Sequence, residues 1–384
     1  MRRQLEGSRA IAEAVAACRP QVIPAYPITP QTHIVEALGA MVRSGDLPAC
    51  RFLTVESEFA AMSAAIGASL TGARSYTATS SQGLLYMTEA LFNASGLGAP
   101  IVLTVANRAI GAPINIWNDQ SDSMSLRDCG WIQLYAPDNQ SAADLHVLAF
   151  RLAEGLSVPV MVCVDGFVLT HAFEPIDAPT REQVEAFLPA YRPRQVLDPD
   201  QPVTIGALVG PEAFTEVRYL ADRRLRSAAA AFDTLADGLS AITGRRLNGV
   251  HGYRMDGADT VVVALGSVTG TLQEVADSLN GVGVLTVTMY RPFPAQEIRA
   301  MAGHARRVVV LERAFAPGAG GIVAADVRSA LAGTDVPVHT VVAGLGGRPV
   351  RASSVQDLLS RPAIADMTFL DLRNDVIERE IAGA

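Results

Sequence analysis

Along the first 170 residues, short apolar runs alternate with stretches of helical period. QVIPAY (21–26), CRFLTV (50–55), RSYTATS (74–80), APIVLTVAN (99–107) and SVPVMVCVDGF (157–167) have the length and continuity of strands. Between the first two lies PQTHIVEALGAMVRSG. It sets Ile34, Val35, Leu38, Met41 and Val42 on one helical face and ends at Gly45. ESEFAAMSAAIGASLTGA (56–73) predicts a helix of small residues that packs closely on both sides, and QGLLYMTEALFNASG (82–96) predicts a further helix. The N-terminal MRRQLEGSRAIAEAV reads as the first helix. Strands that are apolar throughout and separated by helices predict a parallel, doubly wound sheet covered on both faces.

From residue 171 the texture changes. EPIDAPT, LPAYRPRQVLDPDQP and LVGPEAF are rich in proline and lose periodicity, which predicts a linker or an arm over 171–257. Within it, TEVRYLADRRLRSAAAAFDTLADGLSAI (215–242) reads as one long helix. Regular alternation returns with TVVVALGS, TGTLQEVADSL, GVLTVTMY, PAQEIRAMAGHA, RRVVVLER, GIVAADVRSALAG and VPVHTVVAGL. These predict a second α/β domain over 258–384, after a first over 1–170.

Composition narrows the function classes. The 384 residues carry a net charge of −8, which argues against a general nucleic-acid or anionic-membrane binder. Charged residues are 18% and hydrophobic residues 49%, a balance that leaves apolar surface for contacts between subunits. No stretch reads as a transmembrane span or a signal peptide, so a cytoplasmic location is expected. Cys18, Cys50, Cys129 and Cys163 form no CxxC pair, and the six histidines form no HxH or HExxH, so no metal site is expected from local spacing.

Several residues stand where a parallel sheet presents its ligands, at the carboxyl ends of the strands. In Tyr26-Pro27-Ile28-Thr29-Pro30 each proline biases the residue before it toward extended backbone. Pro30 at the first helical position makes Thr29 an expected N-cap. Glu56 and Glu58 open the small-residue helix, and Arg108 follows a strand directly. The polar loop after it holds Asn107, Asn115, Asn118, Asp119, Ser121 and Asp122. By pattern alone these groups are equally a helix cap, carboxylates on a helix dipole and a surface ion pair. Ser81-Gln82-Gly83 misses the nucleophile elbow GxSxG because Thr79 replaces its first glycine. GSVTGT and APGAGG do not match GxGxxG in register.

Taken in order, AYPITP, VESEFAAM, TSSQGLLYM, VANRAIGAPINIWNDQSD, RPFP and GLGGRPV resemble the alpha subunit of pyruvate:ferredoxin oxidoreductase and its 2-oxoacid:ferredoxin oxidoreductase relatives, over nearly the whole chain. The resemblance implies a thiamine diphosphate enzyme. Its first domain would be the pyrimidine-binding domain and its last a transketolase C-terminal-like α/β domain. Glu58 would hydrogen-bond the ring nitrogen N1′, with Pro27, Ile28, Ser81, Gln82 and Gly83 around the cofactor. Thr29 would lie near the reacting carbonyl, Arg108 would grip the 2-oxoacid carboxylate, and Asn115 would help bind substrate. The reaction implied is oxidative decarboxylation of a 2-oxoacid, pyruvate first, to an acyl-coenzyme A, with electrons passing to ferredoxin.

The GDG…N pattern that holds diphosphate and Mg²⁺ is absent, since the DG pairs are only Asp165-Gly166, Asp237-Gly238 and Asp256-Gly257. No iron–sulfur cysteine set is present either. A beta subunit would therefore bring Mg²⁺ and a 4Fe-4S cluster, and gamma and delta subunits further carriers. The chain departs from the family pattern at Gln120, where many relatives have His, and at Phe59, where small residues are frequent; both bear on substrate choice. Two other readings are a beta-type subunit of a 2-oxoacid dehydrogenase complex and a non-catalytic scaffolding subunit. YPITP and ANR argue against the first. Retention of Thr29, Glu58 and Arg108 together argues against the second.

Overall fold

The structure, a computed structural model, describes residues 2–383. The chain forms two compact units. One runs as far as His251 and takes in Leu265–Ser267 and Thr286–Pro294; the other comprises Gly252–Ala264, Val268–Leu285 and the residues from Ala295 onward.

In the first unit the strands Tyr76–Thr79, Val102–Asn107, Val160–Asp165 and Ile132–Tyr135 lie side by side and parallel, in that order. Every residue of these four strands is buried, as a sheet covered on both faces requires. Val22–Ala25 and Arg51–Thr54 form a parallel pair. A bridge between Val22 and Ser75 and the bond from Thr77 Oγ1 to the Pro24 carbonyl join that pair to the larger sheet. Met289–Arg291 closes the far edge, antiparallel to Ile132–Tyr135. The helices Gly7–Ala17, Thr32–Ser44 and Asn139–Leu156 contribute Ile11, Val15, Ile34, Leu38, Leu145, Leu148 and Phe150 to the core.

Several expected elements change. The N-terminal helix begins only at Gly7, because Arg3–Glu6 forms a strand antiparallel to Phe173–Ile176. Part of the expected linker is also body: Arg181–Phe187 is a helix with a Thr180–Gln183 capping box, and Val184 and Phe187 are buried in the core. The expected long helix is two, Phe214–Arg226 and Ala228–Thr243, joined at Ser227. The first buries none of its residues; the second buries Ala228, Phe232, Ala236 and Leu239 at helical spacing. The helix expected over 82–96 is likewise two, Ser81–Tyr86 and Thr88–Leu97. The small-residue helix Glu58–Leu70 packs on one side only: Glu58, Ala61, Met62, Ala65 and Ser69 are buried, while Phe59, Ser63 and Gly67 face outward.

The second unit carries most of a six-stranded sheet in the order Met367–Phe369, Val338–Val342, Arg307–Glu312, Thr260–Ala264, Val282–Val287, Val250–Tyr253. Its first four strands pair in parallel. The N-terminus of the helix Ile322–Ala330 is filled by this unit's own carboxylate. Glu312 accepts the N–H groups of Ile322 and Val323 at 2.7 and 2.8 Å. A Cβ on Gly321 would lie 2.2 Å from that carboxylate. The APGAGG glycines thus bring a helix end onto an internal anion, the role a phosphate takes in dinucleotide folds.

Candidate active site

The double-proline stretch is a turn that precedes its helix. The Gln31 N–H donates to the Ile28 carbonyl at 3.0 Å across a cis Thr29–Pro30 bond, the arrangement of a type VI turn. The helix starts at Thr32 with Gln31 at the cap, so Thr29 is not the N-cap expected from the pattern. Its hydroxyl has no capping role, and Pro27 and Thr29 are exposed on the rim with Ile28 half-buried. The fully buried Gln31 anchors the turn to the sheet, its Nε2 donating to the carbonyls of Tyr26 at 2.8 Å and Ala78 at 3.1 Å.

Arg108 reaches this turn from the end of the strand Val102–Asn107. Its Nη1 donates to the Thr29 carbonyl at 2.6 Å and its Nη2 to Gln82 Oε1 at 2.9 Å. Its Nε is buried without a partner. Burial lowers the guanidinium pKa, and Asp122 and Glu58 oppose that shift; the group stays charged. One N–H on each of Nη1 and Nη2 remains for an anion at the rim.

Glu58 is buried at the first position of its helix, which Ser57 caps by accepting the Ala60 N–H at 3.2 Å. Gly83 forms the wall beside it. A Cβ there would stand 2.6 Å from Glu58 Oε1 and 2.5 Å from Thr79 Oγ1. The Thr79 hydroxyl is itself buried with no partner. A buried carboxylate, an unsatisfied hydroxyl and a wall without side chain suit a flat polar ring that exchanges a proton with the carboxylate.

Ser81 has the left-handed backbone of an elbow, φ 48°, but its hydroxyl is buried and donates to the Ala109 carbonyl at 2.5 Å. It is a structural pin, not a nucleophile. One carboxylate ties these parts together. Fully buried Asp122 accepts the Ser81 N–H at 2.9 Å and the Arg108 N–H at 3.0 Å through Oδ2. Its Oδ1 accepts Asn107 Nδ2 at 2.7 Å and the Ser123 N–H at 2.8 Å. Burial pushes its pKa up to about 7 against those four donors. Gln31 and Thr79 build this region without having been singled out from the pattern, and Asp122 was placed there only as one member of the polar loop.

Asn115 stands away from the strand end that carries Arg108, half-buried in the loop after it. It lies in the outward arc Ala112–Trp117, where its Oδ1 accepts the Trp117 N–H at 2.7 Å. Gln120 is buried and turns its Nε2 to the Leu265 carbonyl at 3.3 Å and Asp165 Oδ1 at 3.5 Å. Asp165 Oδ2 also accepts the Ser267 N–H at 2.8 Å, so the carboxylate of the first DG pair is engaged internally. Phe59 is outward beside Tyr86, with ring centroids 6.2 Å apart. Among the described residues, no helix is long and apolar enough to cross a membrane.

Residues 13–235 match the family described as pyruvate flavodoxin/ferredoxin oxidoreductase, thiamine diphosphate-binding, and residues 258–355 match pyruvate:ferredoxin oxidoreductase core domain II. The chain is 42% identical to a pyruvate synthase subunit PorA of Methanosarcina barkeri, covering 97% of each. It is 36% identical to a ketoisovalerate oxidoreductase subunit VorA of Pyrococcus abyssi, covering 99% of this chain and 97% of that one. A solved 2-oxoglutarate:ferredoxin oxidoreductase from Magnetococcus marinus, with 2-oxoglutarate, coenzyme A and succinyl-CoA bound, shares the fold at a TM-score of 0.71 and 19% identity. The match covers 93% of this chain and spans 64% of that longer chain.

Proposed function

Because the chain belongs to the pyruvate flavodoxin/ferredoxin oxidoreductase family, we propose that it is the alpha subunit of a cytoplasmic, thiamine diphosphate-dependent 2-oxoacid:ferredoxin oxidoreductase. Pyruvate is the first substrate to test. The reaction converts a 2-oxoacid anion, coenzyme A and two oxidised ferredoxins to acyl-CoA, CO₂, two reduced ferredoxins and a proton. The observation that carries the reading is the Gly83 wall set against Glu58 and Thr79, next in sequence to the Gln82 that Arg108 holds.

The residues present fit the cofactor's pyrimidine. Glu58 would meet the ring nitrogen, Thr79 would satisfy its hydroxyl on the ring's polar edge, and Gly83 would admit the ring face. Pro27, Ile28, Ser81 and Gln82 would complete the surround. Thiamine diphosphate, when bound, supplies a nucleophilic carbon and an electron sink for decarboxylation. Glu58 holds and returns a proton at its carboxylate in a dry setting, where such sharing is strongest. Arg108 binds the substrate carboxylate through its remaining N–H groups, and Thr29 sets the carbonyl position on the same rim.

A partner must supply the rest. The exposed side chains of Tyr26, Phe59, Tyr86, Ile114 and Trp117 are apolar surface around this rim, suited to burial by another subunit. A beta subunit would bring the diphosphate site, Mg²⁺ and a 4Fe-4S cluster, with gamma and delta subunits and ferredoxin beyond it.

The test is co-expression with the partner subunits and viologen reduction across a panel of 2-oxoacids. Expected are coenzyme A-dependent reduction with at least one 2-oxoacid and its abolition by Glu58→Gln in an intact complex. No reduction with any 2-oxoacid, or full activity of Glu58→Gln, overturns the reading.

A further inference from the structure

Outside the Arg108 rim, three metal-ligating side chains from distant parts of the chain converge. Glu6 ends the first strand, His33 is the second residue of the helix that follows the double-proline turn, and His171 closes the turn before Phe173–Ile176. One ligand atom from each lies within 4.8 Å of the other two. His33 Nδ1 is 2.7 Å from Glu6 Oε1, and the His33 and His171 rings stand 4.6 Å apart at an interplanar angle of 32°.

The cluster is held in place from behind. The Gly7 N–H donates to the Ala172 carbonyl at 3.0 Å and the Ser8 N–H to the Thr170 carbonyl at 2.9 Å, which locks the Glu6 backbone to the His171 turn. A Cβ on Gly7 would lie 2.1 Å from the Leu169 carbonyl, so only glycine permits that approach. The Thr170 hydroxyl, itself fully buried, sits 2.7 Å from His171 Nδ1 and leaves Nε2 as the ligand atom. That is the outer-shell arrangement that orients metal-binding imidazoles. Phe167 packs on the other side of the His171 ring, with centroids 4.8 Å apart.

We propose that Glu6, His33 and His171 bind a divalent cation of the Zn²⁺ or Co²⁺ class, with solvent completing its coordination. Two imidazoles and one carboxylate select borderline d-block ions over Mg²⁺ and Ca²⁺, which take oxygen ligands. Bond lengths of about 2.0–2.2 Å place ligand atoms about 3–3.5 Å apart, within reach of a small rotation of the exposed His33 side chain. The ion takes the place of the direct contact between His33 and Glu6. It joins the N-terminal strand to the helix that carries the Gln31 anchor. Through His171, Phe167 and Trp117, whose rings follow at 4.8 and 4.9 Å, it also braces the loop after Arg108.

The test uses the full chain, stripped with chelator and titrated with Co²⁺. Expected are d–d absorption bands saturating at one ion per chain, no thiolate charge-transfer band, and a Zn²⁺-dependent rise in Tm. His33→Asn and His171→Asn each weaken binding at least about tenfold, and His304→Asn, on the surface of the second unit, leaves it unchanged. Because the His33 side chain is largely exposed, His33→Asn decides the matter even where Glu6→Ala misfolds. No saturable binding, or binding indifferent to His33→Asn and His171→Asn, overturns the proposal. Neither readout depends on turnover, so the result is separate from the activity assay.

Discussion

A single methyl group tests the site most directly. Gly83→Ala would push a Cβ to within 2.6 Å of Glu58 Oε1 and 2.5 Å of Thr79 Oγ1, the second on a short side chain of a buried strand. The expected outcome is loss of thiamine diphosphate affinity by at least about tenfold, or about 1.4 kcal/mol, with the circular dichroism spectrum retained. Titration of the assembled complex with cofactor checks it. Arg108→Ala removes the cation proposed to bind the substrate carboxylate but not the backbone N–H that Asp122 accepts. Its apparent KM for the 2-oxoacid rises, at a loss of about 2–4 kcal/mol in kcat/KM, as expected for a charged hydrogen-bonded pair. Arg108→Lys does not restore it, because an ammonium cannot hold the Thr29 carbonyl, Gln82 and a carboxylate in one plane. Arg108 was legible as a candidate because it follows a strand at the sheet's carboxyl edge, and Glu58 because it opens the small-residue helix and matches the family glutamate. Thr29 was legible in place but not in role: the bond from Gln31 to the Ile28 carbonyl, which delays the helix, leaves no mark in composition.

At the scale of elements, burial separates stretches that share the same helical period. The helices Phe214–Arg226 and Ala228–Thr243 read as one because Ser227 is no breaker, yet only the second buries residues in the core, the first touching it through half-buried Leu225. Phe232→Ala opens a cavity at a side chain 1% exposed and is expected to lower unfolding free energy by about 3–5 kcal/mol. Leu220→Ala, on the helix with no buried residue, is expected to change it by about 0.5 kcal/mol or less. Denaturant unfolding of the two variants side by side distinguishes them. Similar losses would mean that the exposed helix is packed after all. The all-buried strands Val102–Asn107 and Val160–Asp165 were the most legible elements, since a strand covered on both faces must be apolar at every position. The short strand Arg3–Glu6 was not, because its partner is 170 residues away and its own pattern is mostly polar.

For the whole molecule, two buried groups give stability a pH dependence of opposing sign. Fully buried His146 donates from Nδ1 to the Ala142 carbonyl, and its Nε2 is 2.6 Å from Thr104 Oγ1, which continues to the Tyr76 hydroxyl. Burial lowers its pKa to about 4. The unfolded chain therefore binds more protons between pH 6.5 and 4, and stability falls as pH falls through that window, by on the order of 3 kcal/mol. Asp122, raised to about 7, works the other way: the folded state holds its proton longer, so stability falls as pH rises from about 4 to about 7. In urea unfolding across this range, Asp122→Asn is expected to steepen the acid-side loss and His146→Gln to flatten it. Unchanged slopes would remove both assignments. The sequence by itself determined the period of each element, the apolar strands and the placing of Thr29, Glu58 and Arg108 at strand ends, because backbone geometry converts local spacing directly into faces and edges. Only the tertiary structure decided which polar groups meet: the Asp122 bonds that join Ser81 to Arg108, the Gly83 wall against Glu58, the Glu6–His33–His171 cluster. Those contacts link residues far apart along the chain, and close approach between distant segments depends on how the whole core packs, which no local pattern encodes.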